Sequence, residues 1–304
     1  MIPHRIFYVW FGDARPVEVE MCIRNWRQIM PNDWEIIEVG DKPSPWFDFQ
    51  AELESSKWLR TVYERKMWAY VSDYVRCKVL YEHGGVYLDT DVTLEQDITP
   101  LLDDTLFLGW ENPSSIAMGI CGTPPKHELM QEMLEFYQQD IWESPIFTIP
   151  SILTHLMTHK WGSKVKYSAD VLRLPGVTLY PSEYFYPWVH RTKFSPDCLT
   201  KHSYCIHWWA ESWVNPDFDY FLRHKHIEGF DYGAPMGTQL TTEYRMGPVK
   251  LVVSKRKQDV VWYYAFGFLP IWWHVDKKDK RYLLGCIPIS IKTKEKHYAL
   301  KKVK

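Results

Sequence analysis

Apolar and polar positions change rhythm several times along the first half of the chain, and each change marks an element. Ile6 to Phe11 is a strand-length apolar run, Val17 to Met30 reads as a helix, and Trp34 to Val39 reads as a second strand. Further on, Val71, Val75, Val79 and Leu80 recur at helical spacing with Gly84 as a stop, which predicts an amphipathic helix over Thr61 to His83. Val86 to Leu88 and Leu106 to Trp110 are the next strands, and Glu128 to Gln139 and Ile149 to Thr158 the next helices, the last opening near Pro150. This alternation predicts an open α/β fold, Rossmann-like, with a mainly parallel sheet and helices on both faces. Ligands in such sheets bind at the carboxyl ends of strands, and Trp10 and Asp89 lie near strand ends.

Composition adds a full-sized core: 304 residues with 46% hydrophobic and 24% charged leave no sign of disorder. Sixteen Trp and nineteen Tyr are a surplus that suits cores and membrane interfaces, and also the apolar faces of sugars. The six cysteines, at 22, 77, 121, 198, 205 and 286, show no Cys-x-x-Cys pairing, and strand-like sequence begins at Ile2 where a signal peptide would lie. Reduced thiols in a cytosolic protein are the expectation.

Charge divides the chain in two. Residues 250–304 carry 14 Lys and Arg against 4 Asp and Glu, net +10, whereas residues 1–249 carry 22 against 34, net −12. Within the basic part, Val260 to Trp273 is a fourteen-residue apolar run, flanked by Lys255-Arg256-Lys257 and Lys277-Lys278 and interrupted by Gly267 and Pro270. The run is too short to span a bilayer. Tryptophans beside lysines suit an anionic membrane surface, and peripheral attachment is the preferred reading over a plain β-rich extension with hairpins such as Tyr282 to Ile291. Nucleic acid is a poorer fit and is not expected as a partner, because the first part is acidic and no nucleic-acid motif appears.

The candidate chemistry lies where the Val86 to Leu88 strand ends, at Asp89-Thr90-Asp91. In an extended segment residues i and i+2 point the same way, so Asp89 and Asp91 can converge on one hard cation with Thr90 turned aside. A divalent ion, Mn²⁺ or Mg²⁺, held there would keep coordination positions free for phosphate oxygens. Asp73 and Arg76 are three apart and share a helix face. The plain reading is a surface ion pair. Beside the metal strand, however, a carboxylate and a guanidinium have partners in a sugar or ribose hydroxyl and a phosphate.

Ser72-Asp73-x-x-Arg76 followed by Gly84-Gly85-Val86-Tyr87-Leu88-Asp89-Thr90-Asp91 resembles the sugar-binding region of glycosyltransferase family 32, which includes bacterial capsule and lipopolysaccharide transferases and yeast mannosyltransferases. The large clostridial glucosylating toxins share the spacing that falls here on Asp73, Arg76, Tyr87, Asp89 and Asp91. The opening Ile2 to Gly12, Tyr180 to Pro187 and Ile206 to Trp213 are also similar to segments of the family, so the resemblance covers about residues 1–215. It implies a GT-A type fold and a retaining hexosyltransferase using a nucleotide sugar, a UDP-hexose, in capsule, lipopolysaccharide or exopolysaccharide assembly. The acceptor would be a glycan or lipid-linked saccharide at the inner face of the cell membrane.

The resemblance also assigns roles. Trp10 would stack on the nucleotide base, Arg76 would contact the diphosphate or transferred sugar, and Asp73 would bind ribose or sugar hydroxyls. Asp91 is the first choice for metal ligation. Asp89 would ligate too, or bind the ribose hydroxyl and metal water. His207 is the candidate third ligand, since a neutral imidazole suits Mn²⁺, with Glu211 and Ser212 as rivals. Tyr87 belongs to the donor site or packs beneath it, and Trp213 would lie over the β-phosphate or sugar. No residue declares itself a nucleophile, and front-side displacement is the implied mechanism. Relatives usually show a glycine before Pro150 and an asparagine near Ile116 to Gly122, where this chain has Ile149 and Ala117-Met118; the departures bear on the donor sugar.

The expected organisation is a catalytic domain at 1–215, a connecting segment at 216–249 and the basic aromatic extension at 250–304. Two rivals use the same residues. Leu88-Asp89-Thr90-Asp91-Val92-Thr93 satisfies a haloacid dehalogenase-type phosphatase pattern with Asp89 as nucleophile, but leaves Trp10, Asp73 and Arg76 idle. An inactive glycan-binding module would need no acidic pair.

Overall fold

The computed structural model describes residues 1–12 and 14–210, a few positions between 218 and 226, and the backbone of strands between 240 and 289. It divides into two compact units, Met1–Asn215 with Phe221–Glu228, and Pro216–Tyr220 with Gly229–Lys304. The first unit is built on a seven-stranded sheet. In chain order its elements are β1 (Arg5–Val9), α1 (Val17–Ile29), β2 (Glu35–Val39), α2 (Phe49–Ser55), α3 (Lys57–Glu64), α4 (Trp68–His83), β3 (Gly85–Leu88), β4 (Val92–Leu94), β5 (Phe107–Asn112), β6 (Ser115–Thr123), α5 (Glu128–Glu135), α6 (Ile149–Trp161), β7 (Leu172–Leu174), β8 (Val177–Tyr180), α7 (Ser182–Phe185) and β9 (Cys205–His207).

The strand order is β2-β1-β3-β6-β5-β8-β7, while β4 and β9 form a separate two-stranded ribbon. β1 pairs parallel with both β2 and β3, and β5 with β8. β6 runs antiparallel to both of its neighbours, so β3 and β5 point the same way, and β7 is antiparallel at the edge. The mainly parallel α/β sheet expected from the sequence is therefore present, with β6 as a reversed strand in its middle. Alternation along β1 puts Ile6 and Tyr8 into a core with Val19, Ile23 and Trp26 of α1. Phe7 and Tyr87, paired across β1 and β3, point to the opposite face, where Tyr87 meets Ser72 of α4. Helices thus cover both faces.

The helix expected over Thr61–His83 is two helices. Arg65, Lys66 and Met67 separate α3 from α4, with Lys66 in the left-handed region at φ 56° and the Met67 N–H bonded to Val62. Nor is α4 amphipathic. Tyr70, Val71, Asp73, Tyr74, Val75, Arg76, Cys77, Val79 and Leu80 are all buried, because it packs against β1, β3, β6, α3 and α5. This central position is what removes Asp73 and Arg76 from the surface. Gly84 ends α4 at φ 64° and lies so close to the next segment that a Cβ there would stand 2.5 Å from the Pro125 nitrogen.

In the second unit the strands β10 (Leu240–Met246), β11 (Val249–Lys257), β12 (Val260–Ala265), β13 (Leu269–Val275), β14 (Lys280–Leu283) and β15 (Ile287–Ile289) pair antiparallel in sequence order. The apolar run Val260 to Trp273 becomes the β12–β13 pair, with Trp262 opposite Trp273. The β14–β15 pair falls where a hairpin was expected. Among the described residues no helix is long and apolar enough to cross a membrane. Five described cysteines are free, and Cys286 lies outside the described residues.

Candidate functional site

The site forms where β3 gives out. Asp89, Thr90 and Asp91 make a tight turn, closed by the Val92 N–H bonding to the Asp89 carbonyl at 3.1 Å, before the chain enters β4. The acidic pair was expected to converge through strand alternation. It converges instead through this turn, because β3 stops at Leu88 and Asp89 bonds sideways through its N–H to the Gly119 carbonyl at 2.8 Å. β4 then pairs antiparallel with β9, Val92 opposite His207, which brings a residue 115 positions downstream of β4's start beside the turn.

Asp89, Asp91 and His207 each offer a ligand atom, and the three atoms lie within 4.8 Å of one another. His207 Nε2 is 3.5 Å from Asp89 Oδ2 and 3.5 Å from Asp91 Oδ1. Two carboxylate oxygens and one imidazole nitrogen, all half-buried, are a donor set suited to Mn²⁺ or Mg²⁺. Burial disfavours a charged His207, but Asp91 and Asp89 outweigh it and pull the imidazole pKa upward. The two carboxylates attract positive charge to this point, and a divalent ion supplies it at the same place.

Asp91 also fastens the chain beyond His207. Its Oδ2 accepts from the Ala210 N–H at 2.9 Å and its carbonyl from the Trp208 N–H at 2.8 Å. Gly119 of β6 makes room for the triad: a Cβ there would stand 2.9 Å from His207 Cδ2 and 3.0 Å from Asp89 Oδ2. Any side chain would push two of the three ligands.

Behind the triad, Arg76 joins two carboxylates. One of its terminal nitrogens is 3.0 Å from Asp73 Oδ1 and 3.0 Å from Asp89 Oδ1, and the other donates to the Met118 carbonyl at 3.0 Å. Its guanidinium stacks on the Tyr87 ring at 4.3 Å, and the Tyr87 hydroxyl donates to Asp89 Oδ1 at 3.0 Å. Arg76 Nε is buried with no hydrogen-bond partner among the described residues. Burial alone would raise both carboxylates. In Asp89 it is overcome by Arg76, then His207 and Tyr87, so that its pKa falls to about 2. In Asp73 burial prevails over Arg76, with the Asp89 charge adding to it, and the pKa rises to about 7, although the Ile149 N–H at the start of α6 donates to the carboxylate. One guanidinium shared by two acids fully ionises only one. Arg76 itself is held charged, the two acids and Tyr87 outweighing its burial.

The surface ion-pair reading of Asp73 and Arg76 is thereby corrected: the two are 8% and 5% exposed. Tyr87, at 1%, lies beneath the site. Trp10 follows β1, half-buried, with its N–H bonded to the Val39 carbonyl at 2.9 Å. β1 and β3 are adjacent and parallel, and continuing their register sets Val9 level with Asp89 and Trp10 just beyond. Glu211, Ser212 and Trp213 lie outside the described residues.

Four residues at the site were not singled out from the sequence. Gly119 is one. The Tyr186 hydroxyl oxygen accepts from the Gly119 N–H at 3.0 Å, and the Tyr186 ring lies 5.8 Å from that of His207. Trp209, in the left-handed region at φ 53°, packs 4.3 Å from the His207 ring and 5.0 Å from His190. Glu111, at the end of β5, is half-buried and felt electrostatically by His207 and His190. The advance signals were regional: Glu111 follows the apolar run Leu106 to Trp110 at a strand end, Gly119 lies in the Ile116 to Gly122 stretch, and Tyr186 and Trp209 lie in segments similar to the family.

An acidic pair at the carboxyl edge of a mainly parallel sheet, joined by an imidazole and backed by a guanidinium, is an Asp-x-Asp arrangement whose donor set suits a divalent cation. The family described as "Glycosyltransferase sugar-binding region containing DXD motif" matches residues 16–108. Over those residues the chain is similar to the glycosyltransferases that carry this motif.

Lactosylceramide 4-alpha-galactosyltransferase of Homo sapiens is 28% identical over 152 residues, covering 46% of this chain and 41% of that protein. A mannosyl phosphorylinositol ceramide synthase of Saccharomyces cerevisiae is 30% identical over 81 residues, covering 26% and 21%. The chain thus spans about two fifths of the human relative and about a fifth of the yeast one. Among solved structures, the PaToxG glycosyltransferase aligns with a TM-score of 0.44 at 13% identity, over 54% of this chain and 72% of that one. Nothing here favours the phosphatase or the inactive module. Asp89 as a nucleophile would have one oxygen bonded to Arg76 and Tyr87 and the other facing His207.

Proposed function

We propose that the protein is a metal-dependent, retaining glycosyltransferase that moves a hexose from a nucleotide sugar, a UDP-hexose, to a glycan or lipid-linked saccharide. The observation that carries this reading is the convergence of Asp89, Asp91 and His207 on one point beside a buried guanidinium. Asp89, Asp91 and His207 would hold Mn²⁺ or Mg²⁺, which neutralises charge on a departing diphosphate. Trp10, on the neighbouring strand, offers a face for the base, so that base and diphosphate lie in order along the sheet edge. Arg76 keeps Asp89 ionised and fixed in place, and Asp73 orients Arg76 from below. In the transfer, the bond from the anomeric carbon to the phosphate oxygen breaks and one to the acceptor oxygen forms. The acceptor's proton passes to the departing phosphate.

A lipid-linked acceptor agrees with two relatives named for ceramide glycolipids. We place the catalytic domain at 1–215, with 216–249 as connector, and assign surface-polysaccharide assembly at the cytoplasmic face of the membrane. The net +10 charge and aromatic content of 250–304 support attachment there. Deleting residues 250–304 is expected to abolish cosedimentation with phosphatidylglycerol vesicles; undiminished cosedimentation removes the anchoring role.

The main reading is tested by incubating the chain with a panel of nucleotide sugars, without acceptor. Slow release of free nucleotide is expected from one UDP-hexose, at a rate that falls to background with EDTA and returns with Mn²⁺. Release indifferent to chelation, or none from any donor, contradicts it.

A further inference from the structure

The carboxyl edge of the sheet carries more than the donor site needs. β1, β3 and β5 all point toward it, in the order β1-β3-β6-β5, so Trp10, the acidic pair and Glu111 all lie on that edge, Glu111 further along the strand direction, where β5 runs on past the level of Asp89. β5 lies two strand spacings from β3, about 10 Å. The α4 side of the triad is filled by Arg76, Asp73 and Tyr87, all buried. What remains for the second reactant is the opposite side, toward β5.

The groups on that side are of the kind that hold a sugar. Glu111 is half-buried, yet among the described residues its only direct side-chain hydrogen bond is a long one, 3.5 Å from the Ser115 hydroxyl. Such a carboxylate has lone pairs to spare, and leaving them unmatched in a part-buried site is costly. Burial raises its pKa, with the His207 and His190 charges opposing. Between these imidazoles sits the Trp209 ring, its indole N–H donating to the Trp188 carbonyl at 3.1 Å. A carboxylate accepting from two adjacent hydroxyls, an imidazole beside it and an aromatic face form a pyranoside-binding constellation.

We propose that Glu111, His190 and Trp209 form the subsite for the acceptor sugar, with Glu111 accepting hydrogen bonds from its ring hydroxyls and thereby aiming one hydroxyl at the anomeric carbon. The subsite rests on the glycosyltransferase reading. Glu111 is a positioning residue in it and takes no proton.

The full chain, Mn²⁺ and the UDP-hexose hydrolysed fastest are combined with methyl galactosides, glucosides and mannosides at tens of millimolar, following UDP release. In the wild type at least one hexoside is expected to accelerate release above the rate with water. Glu111→Gln should raise the KM for that hexoside about tenfold, the loss of one charge-assisted hydrogen bond, with the donor KM shifting less than about twofold. His190→Asn should act in the same direction. A general loosening of the site would instead move both KM values together, and that result overturns the proposal, as does an unchanged hexoside KM. Donor hydrolysis that no hexoside accelerates also overturns it while sparing the glycosyltransferase reading. Absence of any UDP release defeats both.

Discussion

Asp91→Asn should lower UDP release from the donor by about a thousandfold while leaving the fold intact. The substitution removes one of two negative charges that draw a cation to the turn. Loss of a ligand that stabilises a departing diphosphate costs about 4 kcal/mol, which is the quoted factor. Asparagine is the informative choice because its amide oxygen can still accept from the Ala210 N–H, as Asp91 Oδ2 does now. Alanine would also lose the bond from the Ala210 N–H, at about 1 kcal/mol, and confuse the two effects. Asp91 is therefore not the exposed, unattached carboxylate that a strand-end position suggests. Initial rates at saturating Mn²⁺, with a thermal melt of the same sample, check the result. Near-normal turnover with a normal melt would remove the metal site from the mechanism.

The chemistry of this site was more legible than its geometry. Asp73, Arg76, Tyr87, Asp89 and Asp91 lie within nineteen residues of sequence, so their spacing could be read directly and they do cluster. His207 was reachable because its segment resembles the same family, and β9 brings it opposite Val92. What could not be read was the direction of burial. Valine spacing in α4 marked one apolar face, but α4 is enclosed on several sides, and no local pattern separates a carboxylate under a sheet from one in solvent. The break between α3 and α4 escaped notice for a related reason. Arg65-Lys66-Met67 contains no glycine or proline, and the turn is closed by the Met67 N–H reaching Val62.

Long-range pairing hid the rest. β6 is reversed between β3 and β5, and only that insertion delivers Gly119 to the triad, so the glycine's importance depends on a strand order absent from its neighbours in sequence. Glu111 is similar. It belongs to the site because β5 is parallel to β3, which follows from two successive antiparallel pairings through β6.

Burial of Arg76 gives the second large effect. Arg76→Met should destabilise the first unit by about 3–5 kcal/mol, because it leaves Asp73 and Asp89 close together beneath the sheet edge with no cation between them. For a unit of this size that corresponds to a fall of about 10 °C in Tm. An exposed pair at the same i, i+3 spacing would be worth only about 0.5 kcal/mol, so the measurement separates the two environments without any assay of activity. Arg76→Lys should recover part of the loss, since an ammonium restores charge but cannot reach Asp73, Asp89 and the Met118 carbonyl with one planar fork. Adding Asp73→Asn to Arg76→Met should also recover part, by removing one of the stranded acids. A melt of Arg76→Met within about 2 °C of wild type would mean that solvent reaches the cluster, and the account of Asp89 as a carboxylate locked in place from behind would have to be abandoned.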